Sequence, residues 1–245
     1  MEYSHDFERK ALDTEFGKIH YFVHKGSGDA CLLLLHGLAS SSKTWERLLL
    51  HLPESLDICM LDLLGHGASD APELEYNIGI QVKILSDFIA RERINCYLFG
   101  HSYGGWIAAS YAAKGCQAKG LILEDSSGLK AFYEEVRGTK EREEYKSTVI
   151  ERARSAGSEG HVVSSVLNDF QEGQLEDAEL SAIKIPTLII WGEDDNVIDR
   201  KFAKVFESGI GGSVLHIIKG ARHTPHYAHP KTVAKILLDF MASHK

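Results

Sequence analysis

Gly100-His101-Ser102-Tyr103-Gly104 places a serine between two glycines, where the apolar run Cys96 to Phe99 gives way to a stretch of small residues, Ala108-Ala109-Ser110 and Ala112-Ala113. A serine at a strand-to-helix corner is forced into a strained backbone conformation that lifts its hydroxyl out of the sheet. Side chains two positions to either side would collide there, which calls for glycine at 100 and 104. The first amides of the following helix aim at the same spot and favour developing negative charge. The chemistry this suits is nucleophilic attack on an electrophilic carbon. A phosphate-cradling loop is the competing reading of a glycine-rich turn between strand and helix, but no Gly-Lys-Ser/Thr follows here.

A serine nucleophile needs a base, and the base needs an acid to orient it. His223 follows the apolar run that ends at Ile217-Ile218, within Lys219-Gly220-Ala221-Arg222-His223-Thr224-Pro225. Carboxylates follow the preceding run, in Trp191-Gly192-Glu193-Asp194-Asp195, and Asp125 closes an earlier one as an alternative acid.

These residues can meet only if the elements around them bring distant segments to one edge. Two alternating segments, Arg9 to Asp13 and Lys18 to His24, flank Phe16-Gly17 and read as an antiparallel hairpin. Short continuous apolar runs follow: Ala30 to Leu35, Asp57 to Leu61, Asn95 to Phe99, Lys119 to Leu123, Thr187 to Trp191 and Ser213 to Ile218. Each is too short for a helix and fits a strand buried on both faces. Helix-period segments lie between them, around Thr44 to His51, Ile78 to Glu92, Tyr103 to Lys114, Arg200 to Glu207 and Pro230 to Ser243. The alternation predicts a doubly wound, mostly parallel α/β sheet of about eight strands with a leading hairpin. Ser102, the Gly192–Asp195 turn and His223 would then all leave strands at the carboxyl edge of the sheet. That edge is where open α/β sheets bind ligands.

One stretch breaks the rhythm. Between Asp125 and Thr187 the text is helical and charge-rich, with Leu129, Phe132, Tyr133, Tyr145, Val149, Ile150, Val162, Val163, Val166, Leu167 and Phe170 scattered through it. The expected organisation is a core of residues 1–125 and 186–245, with 126–185 as a helical cap. The Glu-rich segments of that cap read as wet helix faces.

Over essentially its whole length the chain resembles the α/β-hydrolase family. Leu33-Leu34-Leu35-His36-Gly37 is similar to the family's His-Gly turn after the third strand, and Asp62-Leu63-Leu64-Gly65-His66-Gly67-Ala68-Ser69 to its D-x-x-G-x-G-x-S loop. Gly192 to Asp195 resembles the acid turn and Gly220 to His223 the histidine loop, in the family's order of serine, acid, histidine. The resemblance implies Ser102 as nucleophile, His223 as general base and acid, Asp195 as orienter, and the backbone N–H groups of Leu38 and Tyr103 as the oxyanion hole. The chain departs from the family in having Arg222 where glycine is common. It also lacks the acidic residue usual shortly after the histidine, with His226 and His229 nearby instead.

Plainer roles suit most of the other candidates. His223, His226 and His229 are spaced as metal ligands on a helix would be, but Pro225 and Pro230 interrupt any helix there and no Cys or carboxylate cluster completes a site. His226 and His229 read as surface or supporting residues, His36 and His101 as structural, and His66 as loop packing. Trp45 and Trp106 read as core, Leu38 and Tyr103 as pocket lining, and Glu193 and Asp194 as solvated turn residues.

Composition sets outer limits. The 245 residues carry 27 Lys+Arg against 35 Asp+Glu, a net charge of −8, and no basic run of the kind that grips nucleic acid. No apolar stretch approaches a membrane span, and the charged N-terminus has no signal-peptide core. Of Cys31, Cys59, Cys96 and Cys116, three lie in strand-like runs and none forms a CxxC pair, which suits buried thiols in a cytoplasmic setting. The expectation is a serine hydrolase of small-molecule carboxylic esters with small or medium acyl chains, acting through an acyl-enzyme without cofactor or metal. Its alternatives are a C–C bond hydrolase of the meta-cleavage type and a non-catalytic ligand receptor on the same fold.

Overall fold

The computed structural model describes residues 5–28, 30–115, 118–155, 160–168 and 173–244; Cys116 and Phe170 lie outside them. Eight strands form one sheet: β1 (Glu8–Thr14), β2 (Gly17–His24), β3 (Cys31–Leu35), β4 (Asp57–Leu61), β5 (Cys96–His101), β6 (Gly120–Glu124), β7 (Thr187–Gly192) and β8 (Val214–Ile218). Their order is β1-β2-β4-β3-β5-β6-β7-β8. The leading hairpin and the β2–β4 pair are antiparallel, and all other neighbours are parallel. This is the mostly parallel α/β arrangement expected from the alternating runs.

Strand alternation divides the apolar side chains between two layers. Leu33, Leu35, Cys59, Leu61, Leu98, Leu121, Leu123, Ile189 and Trp191 face one core. It is covered by α2 (Ile78–Glu92), α3 (Tyr103–Ala113) and α8 (Lys201–Gly209). Leu32, Leu34, Ile58, Met60, Tyr97, Phe99, Ile122, Leu188 and Ile190 face the other. There α1 (Glu46–Leu49), entered through a 3-10 turn at Ser42–Trp45, and the helices α9 (Pro225–Ala228) and α10 (Pro230–Ser243) close the layer, the core including Trp45, Leu48, Val233, Leu237 and Phe240. At about 1.5–3 kcal/mol per buried Leu or Ile side chain, these layers are the main stabilising term.

Burial on both faces holds for β3 through β7. It fails at β8, whose Val214 and Ile217 are exposed, because this strand is the sheet's edge and has a neighbour on one side only. Helix α3 is buried almost along its length, so its run of Ala, Gly and Ser reflects close approach to the sheet.

Among the described residues, four helices lie between β6 and β7: α4 (Lys130–Val136), α5 (Lys140–Ser155), α6 (Gly160–Asn168) and α7 (Asp177–Ala182). The stems of this insertion are zipped by a bridge between Leu129 and Leu175. Helix α6 buries Val162, Val163, Val166 and Leu167, and its Ser165 Oγ accepts the N–H of Tyr76 at 2.8 Å. Val162 lies against Gly65, where a Cβ would strike it. Glu134, Glu135, Glu141, Glu143 and Glu144 are exposed, as wet faces should be. Arg142 is the exception: it is buried, with its guanidinium near the rings of Tyr133 and Tyr145.

Candidate active site

Ser102 joins β5 to α3 with φ 50° and ψ −111°, a conformation costing about 1–3 kcal/mol that surrounding structure must hold. Its N–H donates to the Glu124 carbonyl at 2.9 Å, and its own carbonyl accepts the N–H groups of Trp106 and Ser127, each at 3.1 Å. The flanking glycines are sterically required. A Cβ on Gly100 would meet the Gly104 backbone, and one on Gly104 would meet the carbonyls of Leu35 and His36. The corner is therefore clamped on both sides, and the serine points its hydroxyl away from it.

His223 Nε2 lies 3.0 Å from Ser102 Oγ, and His223 Nδ1 lies 2.9 Å from Asp195 Oδ2. The Asp195 carboxylate is oriented by its own turn, its Oδ1 accepting the N–H groups of Val197 at 2.8 Å and Ile198 at 3.1 Å. The acid turn and the histidine loop approach so closely that a Cβ on Gly192 would meet the carbonyls of Arg222 and Ala221. Asp195 has no exposed side-chain surface, whereas His223 keeps 16% of its own. Hydroxyl, imidazole and carboxylate thus form one hydrogen-bonded line drawn from the ends of β5, β7 and β8.

Gly37 sets the His36–Leu38 turn directly over the serine, since a Cβ on it would come 3.4 Å from the Cβ of Ser102. The turn is held from below by His36, whose Nδ1–H donates to the Gly37 carbonyl at 2.8 Å and whose Nε2 accepts the N–H of Leu63 at 3.1 Å. Asp62 fixes the neighbouring loop by accepting the N–H groups of Ser42 at 2.7 Å and Ala68 at 2.8 Å. Tyr103 is buried and Leu38 half-buried beside this turn.

The remaining sequence candidates divide cleanly. Asp194 is exposed, and Glu193 is half-buried, accepting the Gly220 N–H at 3.1 Å. Asp125 is buried, with φ 43°, and its Oδ1 accepts the N–H of Gly192 at 2.8 Å. Burial, then the charges of Asp195 and Glu124, push its carboxyl well above the usual range, against the opposing effect of the Gly192 N–H. His36, His66 and His101 are buried, and burial lowers each, His66 to about 3. Trp45 packs edge-to-face on Phe99 in the core, and Trp106 donates its indole N–H to the Gly173 carbonyl at 3.0 Å.

His223, His226 and His229 do not converge as a metal triad would. His223 turns to Ser102 and Asp195, while His226 turns inward to Glu124. His226 is accordingly fully buried and not a surface residue. Its partner Glu124 was not visible as a functional candidate, because the last residue of an apolar strand gives no sequence signal of what its side chain meets. His101, Glu124 and His226 bring donor atoms within 4.8 Å of one another, though Glu124 and His226 already satisfy each other.

Residues 32–236 match the model of the Alpha/beta hydrolase family. The chain is 25% identical to the monoacylglycerol lipase ABHD6 of Mus musculus, over 86% of this chain and 75% of that protein. Two solved structures share the fold. A membrane phospholipase A, described as a bacterial virulence factor, matches with a TM-score of 0.81 at 24% identity, over 97% of this chain and 86% of that one. A hydrolase from Pseudomonas aeruginosa PA01 matches with a TM-score of 0.81 at 19% identity, over 96% of this chain and 98% of that one.

Proposed function

The chain belongs to the alpha/beta hydrolase family, and from that membership we propose that it is a serine hydrolase cleaving carboxylic esters of small or medium acyl chains. The observation that carries this reading is the continuous hydrogen-bonded line from Ser102 through His223 to Asp195. His223 Nε2 takes the hydroxyl proton as Oγ attacks the ester carbonyl, and Asp195 stabilises the imidazolium that forms. The oxyanion is received by the N–H groups of Leu38 and Tyr103, the second at the start of α3. One such donor contributes about 3–4 kcal/mol to the transition state. Collapse of the tetrahedral adduct breaks the carbon–oxygen bond, and His223 returns its proton to the leaving alcohol. Water then repeats the sequence on the acyl-enzyme, with His223 again as base, and restores Ser102. The helices of residues 126–185 act as a cap over this edge and shape the acyl pocket.

The supports are the strained serine backbone, the buried acid and the sequence similarity to a monoacylglycerol lipase. The test is labelling by a fluorophosphonate with peptide mapping, followed by turnover of p-nitrophenyl acetate and longer esters. Adduct on Ser102, with turnover lost by about 10⁴-fold or more in Ser102→Ala, is the expected result. Wild-type hydrolysis by that variant rejects Ser102 as nucleophile. Full labelling with no turnover of any ester overturns the ester reading in favour of a C–C bond hydrolase or a receptor.

A further inference from the structure

The loop that carries His223 is fastened to the strand beside the nucleophile by a buried acid. Glu124 ends β6 and is completely buried. Its carbonyl already accepts the N–H of Ser102 at 2.9 Å. Its carboxylate reaches the other way: Oε1 accepts the backbone N–H of His226 at 2.8 Å, and Oε2 accepts the proton on His226 Nδ1. His226 Nε2 meets Thr44 Oγ1 at 2.9 Å, so the ring is held at both nitrogens.

One side of the pair is apolar. The Trp45 ring lies 4.5 Å from that of His226 and 5.0 Å from that of Phe99. A buried acid–imidazole pair in such a place gains little stability over two well-packed apolar side chains, because desolvation offsets the attraction. The pair therefore calls for a role other than holding the fold together. Its geometry supplies one. The His226 ring packs at 4.8 Å on His101, which packs at 5.1 Å on His223. His101 Nε2–H donates to the His223 carbonyl at 2.7 Å, leaving His101 Nδ1 buried without a hydrogen-bond partner among the described residues. One residue, Glu124, is thus tied through its backbone to the serine and through its side chain to the loop of the base.

We propose that Glu124 and His226 are positioning residues, whose buried bridge, with His101 between, sets the height of the His223 ring above the Ser102 hydroxyl. The proposal rests on the reading of Ser102 and His223 as nucleophile and base. Reacting groups misplaced by about 1 Å can cost about 100-fold in rate, so slack in this bridge is felt at the base although neither residue touches substrate.

The experiment compares kcat and KM for p-nitrophenyl acetate, counted per fluorophosphonate-titrated site. The double variant E124L/H226F removes the bridge without stranding a charge and should still unfold cooperatively. Its kcat should fall about 10- to 100-fold while KM changes less than about threefold. E124Q should stay within about threefold of the wild type, since its carbonyl can accept the His226 N–H and its NH₂ can donate to Nδ1 once the ring proton moves to Nε2. Wild-type kcat in the folded double variant overturns the proposal, as does E124Q as slow as the double variant. Should the double variant fail to fold, E124D, which shortens the reach of the carboxylate, is expected to show the same loss of kcat, and wild-type kcat there overturns the proposal equally. Ser102→Ala, run alongside, separates the two ideas. If it keeps turnover, the nucleophile assignment fails; if it is inactive while the bridge variants are fully active, only the positioning role fails.

Discussion

Asp125 and Asp195 bring two carboxyl groups to one buried space at the ends of neighbouring strands, and of the two Asp195 is the one hydrogen-bonded to His223. Asp195 Oδ2 meets His223 Nδ1 at 2.9 Å, while Asp125 Oδ1 accepts the Gly192 N–H at 2.8 Å. Asp125 also offers an oxygen within 4.8 Å of His223 and His101 nitrogens. Two like charges so placed cannot both ionise cheaply. Asp125 is the carboxyl that resists ionisation.

Asp195→Asn should lower kcat for p-nitrophenyl acetate by about 10³- to 10⁴-fold, because an amide cannot hold the imidazole in its working tautomer or stabilise the imidazolium. Asp125→Asn keeps an acceptor for the Gly192 N–H and should stay within about threefold of the wild type. Steady-state kinetics of the two variants decide the matter; a larger loss in Asp125→Asn would move the role of acid to β6.

The same carboxyl sets a stability gradient. Burial first, then Asp195 and Glu124, raise Asp125 above its ordinary range. Between about pH 3.9 and that raised value the folded chain keeps a proton the unfolded chain has lost, so stability falls as pH rises through the window. Asp125→Asn removes this term. Its melting temperature relative to the wild type should therefore climb from pH 4 to pH 8, and a flat or shrinking difference would show that Asp125 is ionised in the fold.

The buried histidines act in the opposite direction. Burial lowers His36, His66 and His101, so the folded chain leaves them neutral while the unfolded chain takes up protons below about pH 6.5. Each contributes stability that is present above that pH and declines, by up to about 1.4 kcal/mol per pH unit, between it and the lowered folded-state value. Two-dimensional NMR of ring protons should place all three midpoints below 6.5. A midpoint at or above that value for any of them would break the assignment.

Legibility in the sequence tracked how local each cause is. The elbow at Ser102 could be read because steric need confines glycine to positions 100 and 104, within one pentapeptide. The strands β3 to β7 could be read because burial on both faces leaves an unbroken apolar run. The edge exposure of Val214 and Ile217 could not, since the composition of a strand does not say how many neighbours it has. His226 reads as surface or supporting from its own segment because its partner lies 102 residues away on β6. Arg142, set among glutamates, gives no local sign of burial for the same reason: only packing against Tyr133 and Tyr145 shows that it turns inward.

The left-handed backbone at Ser102 carries a consequence for how this molecule would fail. No residue other than glycine prefers φ 50°, so the conformation belongs to its neighbours: the carbonyl of Glu124 and the amides of Trp106 and Ser127. Loosening any of these lets the residue relax toward ordinary geometry while sheet and helices stand intact. Under mild heat or low denaturant the chemistry should vanish first, leaving a well-formed body that has lost its edge.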